Sequence, residues 1–531
     1  MSTATLCEAF QRTAAVDPGG IALQGGEAAV TWEEYARRVQ AIATGLHALG
    51  VRAGDVVALL IPNRPEFNLA DTAALHLGAT PFSIYATEPI ERMRALMQDS
   101  GARVLITDDE RGPEVTERAV SVAELEALDD DGFDFEAAWR AVTPDSIACL
   151  IYTSGTTGEP KAVQLPQRAI MSSLAGVDAL APPTVEHRGV SFLPSAHITD
   201  RFICHYSTLW LGGTLTCVAD HERLWDTIRE VRPTRFHGVP RTFEKLADFA
   251  RAQIDADPEL SAAFEASLAA FRAGTTDAEA LAALRPVREQ LGLDEVEWLS
   301  VAAAPSAYAT LEFHHALGLN LAELWGMSEF MMAIMNPPSR VKLGTVGVPL
   351  PAVEARLAED GELLLRGPHA CAGYRNDPAK TAAMLDADGW AHSGDLAAVD
   401  EDGYFKIVGR KKEVMINSSG KNLFPAKIEA AVKESSRLVG HVAVIADRRR
   451  YVSALIVPDP EQLEGFEQPA AEIERAVAEA NTRLSRVEQI RAFRVVDDEW
   501  APGGPLLTNT HKLRRASIAE RYADLIEEMY A

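Results

Sequence analysis

The sequence predicts an α/β protein, with a large N-terminal domain of layered sheets and helices, a β-rich subdomain, and a small α+β C-terminal domain. Three observations lead there. Short apolar runs alternate with longer helix-like segments through most of the chain, and strands joined by crossover helices build largely parallel sheets. That alternation gives way near residues 340–410 to two hairpin patterns. The chain also has 531 residues, beyond the roughly 250–300 that one hydrophobic core organises.

The strand candidates are VVALLIP (56–62), RVLITDD (103–109), IACLIYT (147–153), GVSFLP (189–194) and EWLSVAAA (297–304). Helical segments such as WEEYARRVQAIATGLHALG (32–50) and PRTFEKLADFARAQI (240–254) lie between them. In the β-rich part, VEARLAEDGELLLRG (353–367) and DLAAVDEDGYFKIVGR (395–410) turn at Asp360-Gly361 and Asp402-Gly403, the residue pair that tight hairpins favour. The chain then becomes mixed and ends in a predicted helix, ASIAERYADLIEEMYA (516–531). Its apolar residues Ile518, Tyr522, Leu525 and Met529 fall on one face and read as a docking stripe. The expected division is 1–411, with the β-rich subdomain at about 340–411, and 412–531. The Ala/Asp/Glu-rich stretch 255–285 reads as a helical insertion or a mobile surface segment.

Composition narrows the function classes. The formal charge is −26, from 51 basic and 77 acidic residues; that balance opposes nucleic-acid binding, which needs a basic surface. It equally opposes electrostatic attachment to anionic lipid. The five cysteines form no CxxC pair and no Cys/His zinc spacing, so they read as reduced core thiols. The N-terminus has neither a basic n-region nor a long apolar run. No stretch approaches the roughly 18 apolar residues of a membrane span. The expected location is the cytoplasm.

The sharpest motif is YTSGTTGEPKAV (152–163), directly after an apolar run. It sets Thr153, Ser154, Thr156 and Thr157 around Gly155 and Gly158, then adds Lys161. Hydroxyls, approachable backbone N–H groups and a lysine are what a polyphosphate needs. The spacing does not fit GxxxxGK followed by Ser or Thr, so this is not a P-loop NTPase.

With that loop the sequence resembles the adenylate-forming superfamily of acyl-CoA synthetases, adenylation domains and luciferases, in particular its long-chain acyl-CoA synthetase branch. Further motifs follow in the family's order over essentially the whole chain. FLPSAHITDR (192–201) resembles the substrate-side motif, which implies His197 beside the substrate carboxylate; GVPRTFEKL (238–246) is also similar to that branch. AELWGMSE (322–329) resembles the adenine and phosphate motif. The resemblance implies Trp325-Gly326 at the adenine, Ser328 at the α-phosphate, and Glu329 on Mg²⁺, a cation that prefers oxygen donors. HSGDL (392–396) and KIVGRKKE (406–413) resemble the ribose motif, implying Asp395 and Arg410 on the ribose and Lys412 as hinge. NSSGKNLFPAKIE (417–429) resembles the loop of the coenzyme A tunnel, implying Ser419 and Gly420 there, the glycine allowing close backbone approach. LLTNTHKLRR (506–515) resembles the C-terminal motif that carries the catalytic lysine, here Lys512.

Taken singly, each has a structural reading: His197 a satisfied buried histidine, Asp395 a turn residue, Trp325 core, Arg410-Lys411-Lys412 a solvated turn, Lys512 a surface lysine. Their joint order argues for function. His314-His315 fits no zinc motif and reads as structural. Departures from the family pattern are Ala162, Pro166-Gln167, Ala302 and Trp325; they alter pocket shape and remove no charged group.

The resemblance implies ATP, Mg²⁺ and coenzyme A as cofactors and co-substrates, and a small mobile C-terminal domain. A hydrophobic carboxylate attacks the α-phosphate of ATP and releases pyrophosphate; the thiol of coenzyme A then takes the acyl group. The run Phe330-Met331-Met332-Ala333-Ile334-Met335 reads as adaptable walls for a long or bulky acid, or as core. Two alternatives remain at this stage. One is an adenylating enzyme that passes its product to a protein acyl acceptor. The other is a non-catalytic relative, against which the joint presence of Lys161, Glu329, Asp395, Arg410 and Lys512 argues.

Overall fold

A computed structural model of the chain describes residues 3–26, 28–154, 160–508 and 512–531, with the side chains of Ser154, Pro160 and Glu464 not described. The chain divides into two compact units. The first comprises Met1–Ala302, Leu311–Ala355 and Leu364–His392, the second Ala303–Thr310, Arg356–Leu363 and Ser393–Ala531.

In the first unit, the apolar runs become strands of parallel sheets, as the βα alternation requires. Val56–Leu60 lies between Thr80–Ser83 and Ala102–Thr107, all parallel, with Ala119–Val120 at the edge. Arg235–Gly238, Trp298–Val301 and Leu321–Met327 run parallel in a second sheet, which Met331–Met335 and Val348–Pro349 extend antiparallel. Arg188–Ser191 and Thr214–Cys217 form a third sheet with Ile21–Gly25 and Ala28–Thr31. Ile147–Ser154 and Pro160–Pro166 make a two-stranded antiparallel hairpin.

Two open readings are resolved. The stretch 255–285 is helical, Pro258–Arg272 and Ala278–Ala283, and Phe264 anchors it in the core beside Phe243 and Leu311. The run Phe330–Met335 is buried throughout. Its strand is flanked on both edges, so it packs as core.

In the second unit, Val439–Ile445 and Val452–Pro458 pair antiparallel and Ile490–Val495 joins in parallel. One face packs on Pro425–Lys433 and Pro469–Arg483, the other on Trp500, Leu507, Ile518, Ile526 and Met529. The predicted final helix is a correction. It is broken at Tyr522 into Arg515–Arg521 and Ala523–Tyr530. The Tyr522 hydroxyl donates to Asp498 (2.7 Å) and accepts from Trp500 Nε1 (3.0 Å). Past the break Ile526 and Met529 are buried and Leu525 only partly so. The hairpin turns are as expected, with Gly361 at φ +85° and Gly403 at φ +80°. Glu354–Leu357, Glu362–Arg366, Ala391–Val399 and Phe405–Arg410 form a four-stranded sheet in that order. Among the described residues no helix is long and apolar enough to cross a membrane.

Candidate active site

In the first unit, the hydroxyl and lysine loop closes the hairpin of Ile147–Ser154 and Pro160–Pro166. Register puts Thr153 opposite Lys161, so that the strand pairing fixes the lysine backbone at the loop's base. Gly155, Thr156, Thr157 and Gly158 lie outside the described residues, as does the Ser154 side chain. The Lys161 ammonium sits over the ring of Tyr374, 5.0 Å from its centroid.

Glu329 is carried by the turn between Leu321–Met327 and Met331–Met335. Gly326 pairs with Met332 after a register shift, and a Cβ on Gly326 would come within 2.6 Å of the Met331 carbonyl oxygen. Only glycine fits that bulge without displacing backbone. Met331 takes φ +55°, a left-handed conformation unusual outside glycine. Trp325 and Ser328 are buried here, while Glu329 is half-buried. The Tyr374 hydroxyl donates to Glu329 Oε1 at 2.7 Å. Lys161 and Glu329 thus converge on one tyrosine, which the sequence reading missed. Its only sequence signal is the Gly-Tyr pair of GYRND (373–377); the contact depends on long-range pairing.

His197 caps the short helix Ile198–Asp200, with Nδ1 accepting from the Thr199 N–H at 3.2 Å. What fixes this segment is buried charge. Arg201 forms a fully buried ion pair with Asp71, donates from Nε to the Ser195 carbonyl (3.0 Å) and from Nη2 to Ser83 (2.9 Å). Asp71 also takes a hydrogen bond at 3.1 Å from His205 Nε2. Such a pair is tolerable because its donors are filled. Arg201 opens a π-helical turn, Arg201–Tyr206, a wide turn that often marks functional sites. His237, whose Nδ1 pairs with Ser300 Oγ at 2.9 Å, lies within electrostatic reach of His197. Burial, then the His197 charge, depresses the His237 pKa to about 3, so it is neutral at neutral pH.

The second unit carries the remaining candidates. Antiparallel register places Asp395 opposite Arg410, and the two form an ion pair at 2.7 Å with Asp395 buried and Arg410 half-exposed. Lys411 binds Asp360 (2.5 Å) and Glu362 (2.9 Å), while Glu362 Oε1 accepts the Gly394 N–H at 2.9 Å. The buried Glu362 therefore joins the two ribose-motif segments. Lys412 is exposed on the 3-10 turn Lys411–Glu413. Ser419 and Gly420 sit in an exposed turn, where the Ser419 N–H bonds Asn417 Oδ1 at 3.0 Å. Gly420 has φ +73°, and a Cβ there would meet nothing within 4 Å. Within the chain itself, the left-handed turn is what calls for glycine. Lys512 is exposed, with its N–H on Thr508 Oγ1 (3.0 Å) and Leu507 bridged to Leu513. Arg515, three residues on, binds Glu429 through two bonds (2.6 and 2.8 Å) and reaches Glu413 at 3.3 Å.

Among the described residues no three His, Cys, Asp or Glu side chains cluster as metal ligands. An all-protein cage is therefore absent among them. One carboxylate completed by substrate phosphates is a usual arrangement for Mg²⁺, and Glu329 fits it. His314 is buried against Phe243 and Phe313, in keeping with a structural role.

The profile of the AMP-binding enzyme family matches residues 10–375, and that of the AMP-binding enzyme C-terminal domain matches residues 412–531. The chain belongs to this adenylate-forming family. The fadD11 protein of Mycobacterium tuberculosis, which bears the name of a fatty-acid–CoA ligase, is 41% identical over 440 residues, covering 76% of this chain and 77% of that one. The long-chain-fatty-acid–CoA ligase FadD15 of Mycobacterium bovis is 34% identical, covering 94% and 92%. Within the family the chain is an AMP-forming acid–thiol ligase of the long-chain acyl-CoA synthetase type. The fold agrees: O-succinylbenzoate coenzyme A synthetase of Bacillus subtilis, solved in complex with AMP, superposes with a TM-score of 0.77 at 22% identity, covering 96% and 97%.

Proposed function

We propose that the chain activates a long or bulky hydrophobic carboxylic acid, with fatty acids the leading class, and transfers it to coenzyme A. The meeting of Lys161 and Glu329 at Tyr374 supports this reading, since a cation and a carboxylate brought to one tyrosine are the pair that a triphosphate and its cation call for. The names of the relatives support the acid class.

In the first step the acid is the nucleophile, already an anion at neutral pH, so positioning and charge stabilisation do the catalysis. Lys161 and the hydroxyl loop hold phosphate oxygens, His197 faces the acid's carboxylate, and Asp395 with Arg410 holds the ribose. Trp325 and Gly326 border the adenine and Ser328 the α-phosphate. Mg²⁺ bound at Glu329 would neutralise phosphate charge. Lys512 bridges acid and phosphate oxygens. In the second step Lys512 has no part; residues 412–531 turn about Lys412 as a mobile domain behind residues 1–411, bringing Ser419 and Gly420 to the pantetheine. The cytoplasm suits a protein whose five cysteines are all unpaired and buried.

Pyrophosphate release with a panel of fatty, aryl and polycyclic acids, each with and without coenzyme A, tests this. Thioester detected by mass with a fatty acid is the expected result. Pyrophosphate without thioester would instead point to a protein acyl acceptor, and no release with any acid would refute the reading.

A further inference from the structure

The segment Cys371–Arg375 is stapled to both phosphate-side hairpins. The Ala372 N–H donates to the Gln164 carbonyl (2.8 Å), the Gln164 N–H to the Gly373 carbonyl (2.9 Å), and the Arg375 N–H to the Ala162 carbonyl (2.8 Å). These bonds tie it to the strand that carries Lys161. On its other side the Cys371 N–H donates to the Glu329 carbonyl at 2.9 Å. Gly373 sits at φ +112° with no room for a Cβ, which would lie 2.5 Å from Thr381 Cγ2, and Thr381 Oγ1 accepts the Tyr374 N–H at 2.9 Å. The Tyr374 backbone is therefore held from three directions, and its side chain reaches Glu329 Oε1 at 2.7 Å with its ring beneath Lys161.

A buried phenol needs one acceptor, and many would serve. Here the acceptor is the carboxylate read as the magnesium ligand, and the ring face meets the lysine read as the phosphate ligand. A phenol keeps its proton at neutral pH, so against a carboxylate oxygen it is the donor. A donor on one carboxylate oxygen fixes the rotation of that carboxylate.

Resting on the roles assigned above to Glu329 and Lys161, we propose that Tyr374 is a positioning residue of adenylation: its hydroxyl orients the Glu329 carboxylate toward the ATP-bound cation, and its ring holds Lys161 toward the triphosphate. Such partners of metal ligands typically change metal affinity or activity by about 10- to 100-fold.

The test uses the full chain, Mn²⁺ as an EPR-visible probe, and α,β-methylene-ATP, which cannot react at the α-phosphate. Tyr374→Phe should weaken Mn²⁺ binding to the nucleotide complex by about ten-fold or more, and slow pyrophosphate release with palmitate. Thioester formation from synthetic palmitoyl-adenylate and coenzyme A should be unchanged. Tyr374→Leu should additionally weaken nucleotide binding in the absence of metal, because Lys161 loses its ring partner. Glu329→Gln separates the two readings. Weakened Mn²⁺ binding in Glu329→Gln but not in Tyr374→Phe overturns the proposal and spares the role of Glu329. Unchanged binding in both overturns that role and the proposal with it. An equal fall of both half-reactions in Tyr374→Phe would mark a general packing residue and also overturn it.

Discussion

Acidification from about pH 7.5 to about 5.5 sets the buried histidines of the first unit against one buried aspartate; His205 and His315, also lowered by burial, add to the effect of His76, His187, His237 and His369. Burial holds His76 and His369 at about 4 and His187 and His237 at about 3, below the ordinary 6.5. As pH falls through 6.5 the unfolded chain gains protons at these positions and the folded chain does not. Their contribution is therefore complete above 6.5 and is lost as pH drops toward the folded values. Asp200 runs the other way. Burial raises it to about 7 from 3.8, against the Ser191 hydrogen bond, so the folded state is protonated first and gains stability as pH falls through 7. Each histidine loses about 1.3 kcal/mol over this window, about 5 kcal/mol together, while Asp200 returns about 2. The histidines win by about 3 kcal/mol. At the usual unfolding entropy per residue, the first unit's Tm should fall by about 4 °C. Calorimetry of the full chain at matched ionic strength reads this directly. Asp200→Asn removes the opposing contribution and should widen the loss to about 5 kcal/mol. A Tm that is flat or rises on acidification, or an Asp200→Asn variant with a smaller loss, would refute the reasoning.

Arg201→Leu and Asp71→Leu should each cost about 3–5 kcal/mol in chemical denaturation, because each leaves a buried charge without its partner; the double variant should cost less than their sum. Lys512→Ala should abolish pyrophosphate release yet leave thioester formation from synthetic acyl-adenylate near wild type, and equal loss of both in a folded protein would reassign Lys512. Arg515→Gln should destabilise the second unit by about 2–3 kcal/mol, the scale of a hydrogen bond to a charged partner, since Glu429 also accepts the Val444 N–H at 2.9 Å. Hydrogen exchange at Val444 and in Pro425–Lys433 would report it.

The parts of this molecule legible in the sequence are those encoded within one element. The Asp360-Gly361 and Asp402-Gly403 turns follow from local backbone preference, and the parallel strands from short apolar runs set between helices. The motif residues were readable because each motif is contiguous. Asp395 and Arg410 could be paired because one tight turn sets their register. The Phe330–Met335 run was ambiguous because a strand buried on both faces has no alternation to read. The break at Tyr522 was hidden because the stripe keeps helical spacing across it, and the bonds to Asp498 and Trp500 come from residues more than 20 positions away. The Asp71–Arg201 pair, 130 residues apart, left no local trace.

The candidate groups fall into two kinds of placement, which bears on how the two reaction steps are served. Lys161 stands at the loop end of one hairpin and Glu329 in the turn of another, and both hairpins are bonded to one segment, Cys371–Arg375, so neither backbone can shift without breaking hydrogen bonds. Rigid placement of this sort suits groups that meet the nucleotide in the ground state and the transition state alike. Lys512 instead is exposed, held by its backbone to Thr508 and anchored through the Arg515 grip on Glu429 and Glu413. That grip connects the segment after Lys512 to the turn that carries Lys412 and to the helix after Gly420, so the proposed domain movement would carry the three together. A lysine needed in one step and unwanted in the next is best carried on such a piece. The charge arrangement around Lys512 thus fits the proposed movement of residues 412–531, while the proposed phosphate-side groups Lys161 and Glu329 are held by ladder bonds of the first unit.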